Sequence, residues 1–271
     1  MREIDLIALD LDGTALAPDN TVTDGLRAAV KKAREAGLYV VVATGRICGE
    51  AREFAREMGA DDLMVTSGGA TLSSVKYGNC TMRISIPWEA AVRAAAAVER
   101  IGMTAMVYAA ETLLITPYDD MKFGAYKSNE GYLAVKQVVP SVAEYIADEH
   151  LSVDKIFVRS RDDSLLRGVR QQLSGAPGLR VISSASDNLE IMSPIADKGT
   201  ALGMLCRTLG TSLSRAAAVG DSENDLEMLR AVALPIAMAN ASDAVKAACR
   251  RTTESNAADG AAKAIERILA E

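Results

Sequence analysis

The sequence predicts an α/β protein, in which a doubly wound parallel sheet is interrupted by an inserted α+β domain. Short aliphatic runs alternate with helix-length segments up to residue 82 and again from Asp197, an order typical of a doubly wound sheet. Nine of the eleven aromatic residues lie between positions 77 and 157. Strands there follow one another without intervening helices, which indicates partly antiparallel pairing. We therefore predict a core formed by 1–82 and 187–271, and an inserted domain at 83–186.

The first predicted strand ends in a short acidic segment. Ile4 begins a mostly apolar run of strand length, which stops at Asp10, Leu11, Asp12 and Gly13. Such a strand suits the middle of a parallel sheet, where ligands bind just beyond the carboxyl ends of the strands. Two carboxylates one residue apart repel each other unless a cation or a proton lies between them, and carboxylate oxygens suit Mg²⁺. The alternative interpretation of these residues is a simple turn.

The other core elements follow in order, and polar residues come after several of the strands. Thr23 is predicted to cap the first helix. Further strands are predicted at 38–43, 63–66, 216–219, 234–238 and 252–253, and helices at 23–36, 197–209, 223–231, 241–249 and 259–269. If the strands are parallel, the polar residues that follow them gather at one edge of the sheet. These residues are Asp10, Asp12, Thr44, Asp221, Asn224 and Asp225.

The inserted domain is predicted to mix strands and helices. Strands are expected at 82–86, 104–109, 112–116, 153–159, 179–184 and 188–193, and helices at 88–101, 141–149 and 162–174. A polar and aromatic cluster lies between these segments, at Tyr118, Asp119, Lys122, Tyr126 and Lys127. This cluster could bind a sugar or form part of the domain's core, and the sequence leaves both interpretations open.

Composition and charge argue against several classes of protein. The formal net charge of -6 disfavours a general binder of nucleic acid or acidic membranes. The 4 cysteines are widely scattered and His150 is the single histidine, so zinc sites, disulfide frameworks and histidine-dependent nucleophiles are not expected. The sequence shows no signal peptide, and no apolar run approaches the roughly 18 residues of a spanning helix. We expect a cytoplasmic protein and leave its oligomeric state open.

Four segments together resemble the motifs of the haloacid dehalogenase superfamily. They are Asp10-Leu11-Asp12-Gly13-Thr14, Thr44-Gly45-Arg46, Lys198-Gly199-Thr200 and Gly220-Asp221-Ser222-Glu223-Asn224-Asp225. The insertion resembles the large class IIB cap of the Cof-type subfamily, many of whose members are sugar-phosphate phosphatases. Also similar are Leu189-Glu190-Ile191, Ala237-Met238-Ala239-Asn240-Ala241 and Ser255-Asn256-Ala257-Ala258-Asp259-Gly260. The resemblance implies a Rossmann-like core with an α+β cap of the C2 type.

The resemblance also implies a role for each motif residue. Asp10 would be the nucleophile that forms an aspartyl-phosphate, and Asp12 would protonate the leaving alcohol and later activate water. The Mg²⁺ ligands would be Asp10, the backbone carbonyl of Asp12 and Asp221. Asp225 would orient the metal's water ligands or Lys198. The groups around the phosphoryl oxygens would be Thr44, the Gly45 amide, Lys198 and Asn224. Taken singly, these residues could instead be turn, solvated or helix-dipole residues.

We therefore expect a Mg²⁺-dependent phosphatase that acts on small phosphorylated metabolites such as sugar phosphates. A phosphomutase is a second interpretation, because similar motifs serve transfer back to a sugar, and activation by a bisphosphate would favour it. A third is a switch protein whose Asp10 merely accepts phosphate. The presence of Asp12 and Lys198 argues against a switch, because a long-lived phosphoaspartate would not need Asp12 beside it.

Overall fold

A computed structural model describes residues 4–109, 111–122, 130–183 and 186–271. The chain forms two compact units, one from Met1–Met82 with Asp197–Glu271 and the other from Arg83–Ala196. Tyr126 and Lys127, two members of the predicted polar and aromatic cluster, lie outside the described residues.

The first unit is built on a five-stranded sheet in which all pairings are parallel. Its strands are β1 (Leu6–Leu9), β2 (Tyr39–Val42), β12 (Ala216–Gly220), β13 (Leu234–Ala237) and β14 (Arg251–Thr252), in the order β14-β13-β12-β1-β2. The flanking helices are α1 (Asp24–Glu35), α2 (Cys48–Met58), α8 (Lys198–Thr208), α9 (Leu226–Ala231), α10 (Asp243–Ala248) and α11 (Gly260–Ala270). The predicted α/β class of the core is therefore confirmed.

Strand β1 lies in the interior of this sheet, as its aliphatic sequence predicts. All four of its residues are fully buried, and they pair on one side with β12 and on the other with β2. Leu9 is level with Val219 and with Val42. Because the three strands are parallel and in register, the segments that follow them begin at the same edge of the sheet.

The chain after β3 (Leu63–Thr66) reverses direction, which the sequence analysis did not predict. Ser67, Gly68 and Gly69 all have positive φ, so the chain turns back into β4 (Thr71–Ser74), antiparallel to β3. A small three-stranded sheet results, with β5 (Cys80–Arg83) at its other edge. Strand β5 thus begins and ends earlier than the strand predicted at 82–86.

The second unit contains a six-stranded mixed sheet in the order β10-β11-β9-β6-β7-β8. The strands are β6 (Thr104–Ala109), β7 (Thr112–Ile115), β8 (Lys136–Val138), β9 (Val153–Arg159), β10 (Arg180–Ile182) and β11 (Asn188–Met192). The helices are α3 (Trp88–Ile101), α4 (Pro117–Lys122), α5 (Glu130–Val135), α6 (Val142–Glu149) and α7 (Asp163–Leu173). This α+β composition confirms the predicted class of the insertion, although α4, α5 and β8 were not predicted.

The return from the second unit to the first comes later than the predicted position 187. Strand β11 pairs antiparallel with both β9 and β10, so 187–196 belongs to the second unit. The sequence predicts a strand at 188–193 but not the strands with which it pairs. Strand pairing, which is not local in sequence, decides the boundary.

Among the described helices, α3 is the longest at 14 residues. No helix in the described ranges is both long enough and apolar enough to cross a lipid bilayer.

Candidate active site

The segment after β1 forms a wide turn that begins at Asp10. The amides of Ala15 and Leu16 donate to the carbonyls of Asp10 and Leu11, at 3.1 and 2.9 Å. Asp12 has extended backbone angles within this turn. The turn therefore carries both predicted catalytic carboxylates, one at its start and one inside it.

Gly13 is required at its position in the turn. Its φ is +80°, and a Cβ there would lie 2.4 Å from Oδ2 of Asp221. Thr14 donates from Oγ1 to Oδ1 of Asp221 at 2.9 Å. These close contacts bring the turn after β1 against the segment after β12, as the parallel register predicts.

Lys198 lies at the centre of the site. Asp197 caps α8 by accepting a hydrogen bond from the Thr200 amide, which places Lys198 in the first turn of the helix. Its Nζ donates to Oδ1 of Asp10 and to Oδ1 of Asp225, both at 2.6 Å, and the residue is fully buried. Burial alone would lower the pKa of Lys198, but the charges of Asp10 and Asp225 outweigh it and hold that pKa above its usual value. Lys198 is therefore a fixed positive charge.

Asp225 is positioned by the backbone of the same segment that carries Asp221. Its Oδ2 accepts from the amides of Asp221 and Ser222, at 3.0 and 3.1 Å. A Cβ on Gly220 would come within 2.7 Å of the Asp225 carboxylate. Both carboxylate oxygens of Asp225 are thus engaged, one by Lys198 and the other by backbone amides, so this residue orients Lys198.

Three buried or half-buried carboxylates could hold a cation. Asp10, Asp221 and Asp225 each offer an oxygen, and these oxygens lie within 4.8 Å of one another. Burial raises the pKa of both Asp10 and Asp221, and the charge of Asp225 raises it further. The pKa of Asp10 lies well above its ordinary value, and that of Asp221 is raised to about 6. Such crowding of acids indicates that a positive charge would bind favourably, and an all-oxygen donor set fits Mg²⁺. Because Asp225 is already engaged, Asp10 and Asp221 are the better candidates for direct ligands.

The Asp12 carboxylate is not one of these three clustered carboxylates and is held by Arg46. Nε and the second terminal nitrogen of Arg46 donate to the two oxygens of Asp12, at 2.8 and 2.5 Å. The guanidinium also lies over the ring of Phe54, 4.9 Å from its centroid. The Asp12 side chain remains 52% exposed, against 19% for Arg46. A two-point contact of this kind fixes the plane of a carboxylate while leaving it open to solvent.

The remaining predicted phosphate-binding residues lie at the ends of β2 and β12. Thr44 is fully buried, and its Oγ1 accepts from the Arg46 amide at 3.1 Å. Gly45 follows it and is half-buried. Asn224 accepts through Oδ1 from the Ser222 hydroxyl at 2.7 Å, and no contact described for it reaches Lys198 or Asp10. The structure therefore joins Asp10, Lys198, Asp221 and Asp225 directly, whereas Thr44 is linked to Asp12 through Arg46.

Two asparagines of the core, to which the sequence patterns assign no role, bind the backbone of the turn after β1. Asn240 donates to the carbonyl of Gly13 at 2.8 Å, and Asn256 donates to the carbonyl of Leu16 at 3.0 Å. Both lie in segments that resemble the family but received no role. Their positions just after β13 and β14 could have indicated that they belong to the site, since the other site residues also follow strands. Glu190, in contrast, pairs with Lys155 at 3.4 Å within the second unit.

Comparisons with known proteins identify the family and the fold of the chain. The profile of the haloacid dehalogenase-like hydrolases matches residues 7–265. The chain is 29% identical to the 5-amino-6-(5-phospho-D-ribitylamino)uracil phosphatase YcsE of Bacillus subtilis, over 97% of this chain and 95% of that protein. A solved haloacid dehalogenase-like hydrolase from B. subtilis is 26% identical and superposes with a TM-score of 0.86, covering 97% of this chain and 99% of the other.

The fold of the insertion has a parallel among solved structures as well. The subclass IIB sugar phosphatase BT4131 has the same fold, with a TM-score of 0.81 at 22% identity, over 98% of this chain and 99% of that one. The chain belongs to the haloacid dehalogenase-like hydrolases. Within that superfamily it is a Cof-type phosphatase, a phosphoric monoester hydrolase.

Proposed function

We propose that this enzyme is a Mg²⁺-dependent phosphatase that hydrolyses small phosphorylated metabolites through an aspartyl-phosphate at Asp10. The main support for the proposal is that one turn carries two carboxylates, Asp10 and Asp12, which have different partners and different exposure. Asp10 is buried and bonded to Lys198, whereas Asp12 is half-exposed and bonded to Arg46. Two acids in such different environments can divide the roles of nucleophile and proton donor.

In the first step, an oxygen of Asp10 attacks the phosphorus atom of the substrate. The new O–P bond forms while the bond from phosphorus to the leaving oxygen breaks, and Asp12 transfers its proton to that oxygen as the alcohol departs. Lys198 and the groups at Thr44 and Gly45 would stabilise the charge on the remaining phosphoryl oxygens. The products of the step are the free alcohol and phosphorylated Asp10.

In the second step, water hydrolyses the acyl phosphate. Asp12, now ionised, accepts a proton from water while the water oxygen bonds to phosphorus and the bond to Asp10 breaks. Inorganic phosphate leaves, and both carboxyl groups return to their starting protonation. The two-point contact with Arg46 holds the ionised Asp12 carboxylate beside the turn, and one Asp12 oxygen leaves Arg46 when it takes up the proton.

The acidic cluster and the charge of the substrate are the reason for including a metal in the proposal. Asp10, Asp221 and the backbone carbonyl of Asp12 would hold Mg²⁺, with Asp225 fixing Lys198 beside it. When bound, the ion supplies positive charge that offsets the repulsion between these carboxylates and an anionic phosphate. The raised pKa values of Asp10 and Asp221 support the need for that charge.

Sugar phosphates and related polyol phosphates are the proposed substrate class. The relative YcsE is named for a phosphorylated ribitylamino compound, which is a polyol phosphate on a small heterocycle. The net charge of -6 supports a small substrate over a polyanion such as nucleic acid. We include a cytoplasmic location in the proposal, which is supported by the wide scatter of the four cysteines along the sequence, without a Cys-x-x-Cys pair.

The test is phosphate release from a panel of sugar, polyol and aryl phosphates, with Mg²⁺ or with EDTA. The parent protein is compared with Asp10→Asn and with the control Asp24→Asn, an exposed acid at the start of α1. We expect metal-dependent turnover that the control retains and Asp10→Asn loses. Turnover that survives in Asp10→Asn would refute the covalent mechanism. Isomerisation activated by a bisphosphate would favour the mutase, and phosphate stably retained on Asp10 would favour the switch.

A further inference from the structure

We propose that Asn240 and Asn256 are positioning residues that hold the turn after β1, so that Asp12 is aligned for proton transfer. The inference rests on the proposed phosphatase function. It concerns two side chains outside the predicted catalytic and phosphate-binding sets, and every contact in it lies within the first unit.

The two asparagines form a continuous chain of hydrogen bonds to the turn. Asn240 donates through Nδ2 to the carbonyl of Gly13 at 2.8 Å, and its Oδ1 accepts from the backbone amide of Asn256 at 3.0 Å. Asn256 in turn donates through Nδ2 to the carbonyl of Leu16 at 3.0 Å. The two asparagines, which we call the relay, thus bind the turn at two backbone carbonyls, those of Gly13 and Leu16.

The relay comes from the same edge of the sheet as the catalytic groups. Asn240 follows β13 and Asn256 follows β14, and both strands run parallel to β12 and β1. The sheet therefore delivers the two amides to the turn in the way that it delivers Asp221. Their role is support for the turn's backbone, since the atoms they bind are main-chain carbonyls.

Asp10 and Asp12 depend on this support to different degrees. Asp10 is anchored independently, because its amide donates to the carbonyl of Val219 at 3.1 Å and its carboxylate binds Lys198. The Asp12 side chain binds Arg46, but the Asp12 backbone lies inside the turn. It is followed by Gly13, which has a positive φ and, as a glycine, adopts many backbone conformations easily. Loss of the relay should therefore displace Asp12 more than Asp10.

This difference predicts a dependence on the leaving group. An alkoxide is a poor leaving group that needs a proton from Asp12, whereas p-nitrophenolate departs without one. A displaced Asp12 should therefore slow the hydrolysis of an alkyl phosphate and affect p-nitrophenyl phosphate little. A general loss of folding or metal binding would lower both rates together.

The experiment measures kcat and KM for Asn240→Ala, Asn256→Ala and the double variant. The substrates are p-nitrophenyl phosphate and a sugar or glycerol phosphate that the parent hydrolyses. Both are measured at a Mg²⁺ concentration that saturates each variant, because the backbone carbonyl of Asp12 is also a proposed Mg²⁺ ligand. The control is Asn79→Ala, an exposed asparagine in the turn between β4 and β5 of the same unit. Thermal unfolding of each variant reports on its folding.

We expect kcat for the alkyl phosphate to fall by about 10- to 100-fold in each variant, and kcat for p-nitrophenyl phosphate by less than about threefold. The double variant should lose little more than either single one, because the amides act as one relay. Equal losses on both substrates, or unchanged alkyl phosphate turnover in variants that fold, would overturn the inference. A parent without phosphatase activity, or active Asp10→Asn, would instead defeat the proposed function, so the two failures are distinguishable.

Discussion

Replacement of Lys198 by methionine should destabilise the first unit strongly. Methionine matches the length and volume of lysine, so packing is largely kept while the positive charge is lost. Two carboxylates that now receive 2.6 Å hydrogen bonds, Asp10 and Asp225, would remain buried without their cation. Both also lie within 4.8 Å of a carboxylate oxygen of Asp221, so repulsion among the acids would no longer be offset.

The size of this loss of stability follows from the burial of Lys198, Asp10 and Asp225. Removing one partner of a buried ion pair typically costs about 3–5 kcal/mol. With about 2–4 °C per kcal/mol for a unit of this size, the melting temperature should fall by roughly 6–20 °C. The matched control is Lys31→Met, whose exposed pair with Glu35 spans 3.8 Å and should contribute less than about 1 kcal/mol.

The assay is thermal unfolding followed by circular dichroism between pH 5 and about 8, in EDTA and in Mg²⁺. The folded-state pKa of Asp10 is raised, and loss of Lys198 raises it further, so ionised Asp10 costs stability that grows as pH rises. The stability that Lys198→Met loses relative to the parent should therefore be largest in EDTA at the highest pH. This loss should become smaller on acidification and on addition of Mg²⁺. A deficit below about 1 kcal/mol that is independent of pH and metal would refute the reasoning.

Two further predictions use charged pairs elsewhere in the chain. Arg46→Lys should lower kcat for alkyl phosphates about tenfold and leave kcat for p-nitrophenyl phosphate nearly unchanged, because lysine cannot make the two-point contact that orients Asp12. Steady-state kinetics on both substrates tests this prediction. Equal losses of kcat on the two substrates would contradict it. In the second unit, burial outweighs the neighbouring Arg83 and raises the pKa of Asp154 from 3.8 to about 6. Its ionisation should therefore remove about 3 kcal/mol of stability in all as pH rises from about 3 to about 7. Asp154→Asn should flatten that slope in urea unfolding curves, and an unchanged slope would contradict the assignment.

Local patterns in the sequence were enough for the elements of the core and for the order of its motifs. Aliphatic runs as short as β1 are buried strands because a parallel sheet covers them on both faces. Thr23 caps α1 through its side chain, and Asp197 caps α8, because these short side chains reach the free amides of a helix start. Such signals involve neighbouring residues, so they can be read along the chain.

Only the tertiary structure decided how the functional groups meet. The bond from Lys198 to Asp10 joins residues 188 positions apart, and nothing local predicts that Arg46 binds Asp12 or that Asn240 binds the backbone of Gly13. The same holds for β4 and for the boundary after β11, which depend on strand partners and on the positive φ of Ser67. Residue types determine what a group can do chemically, whereas its partner and burial, which set its charge and orientation, are determined by the packing of distant segments.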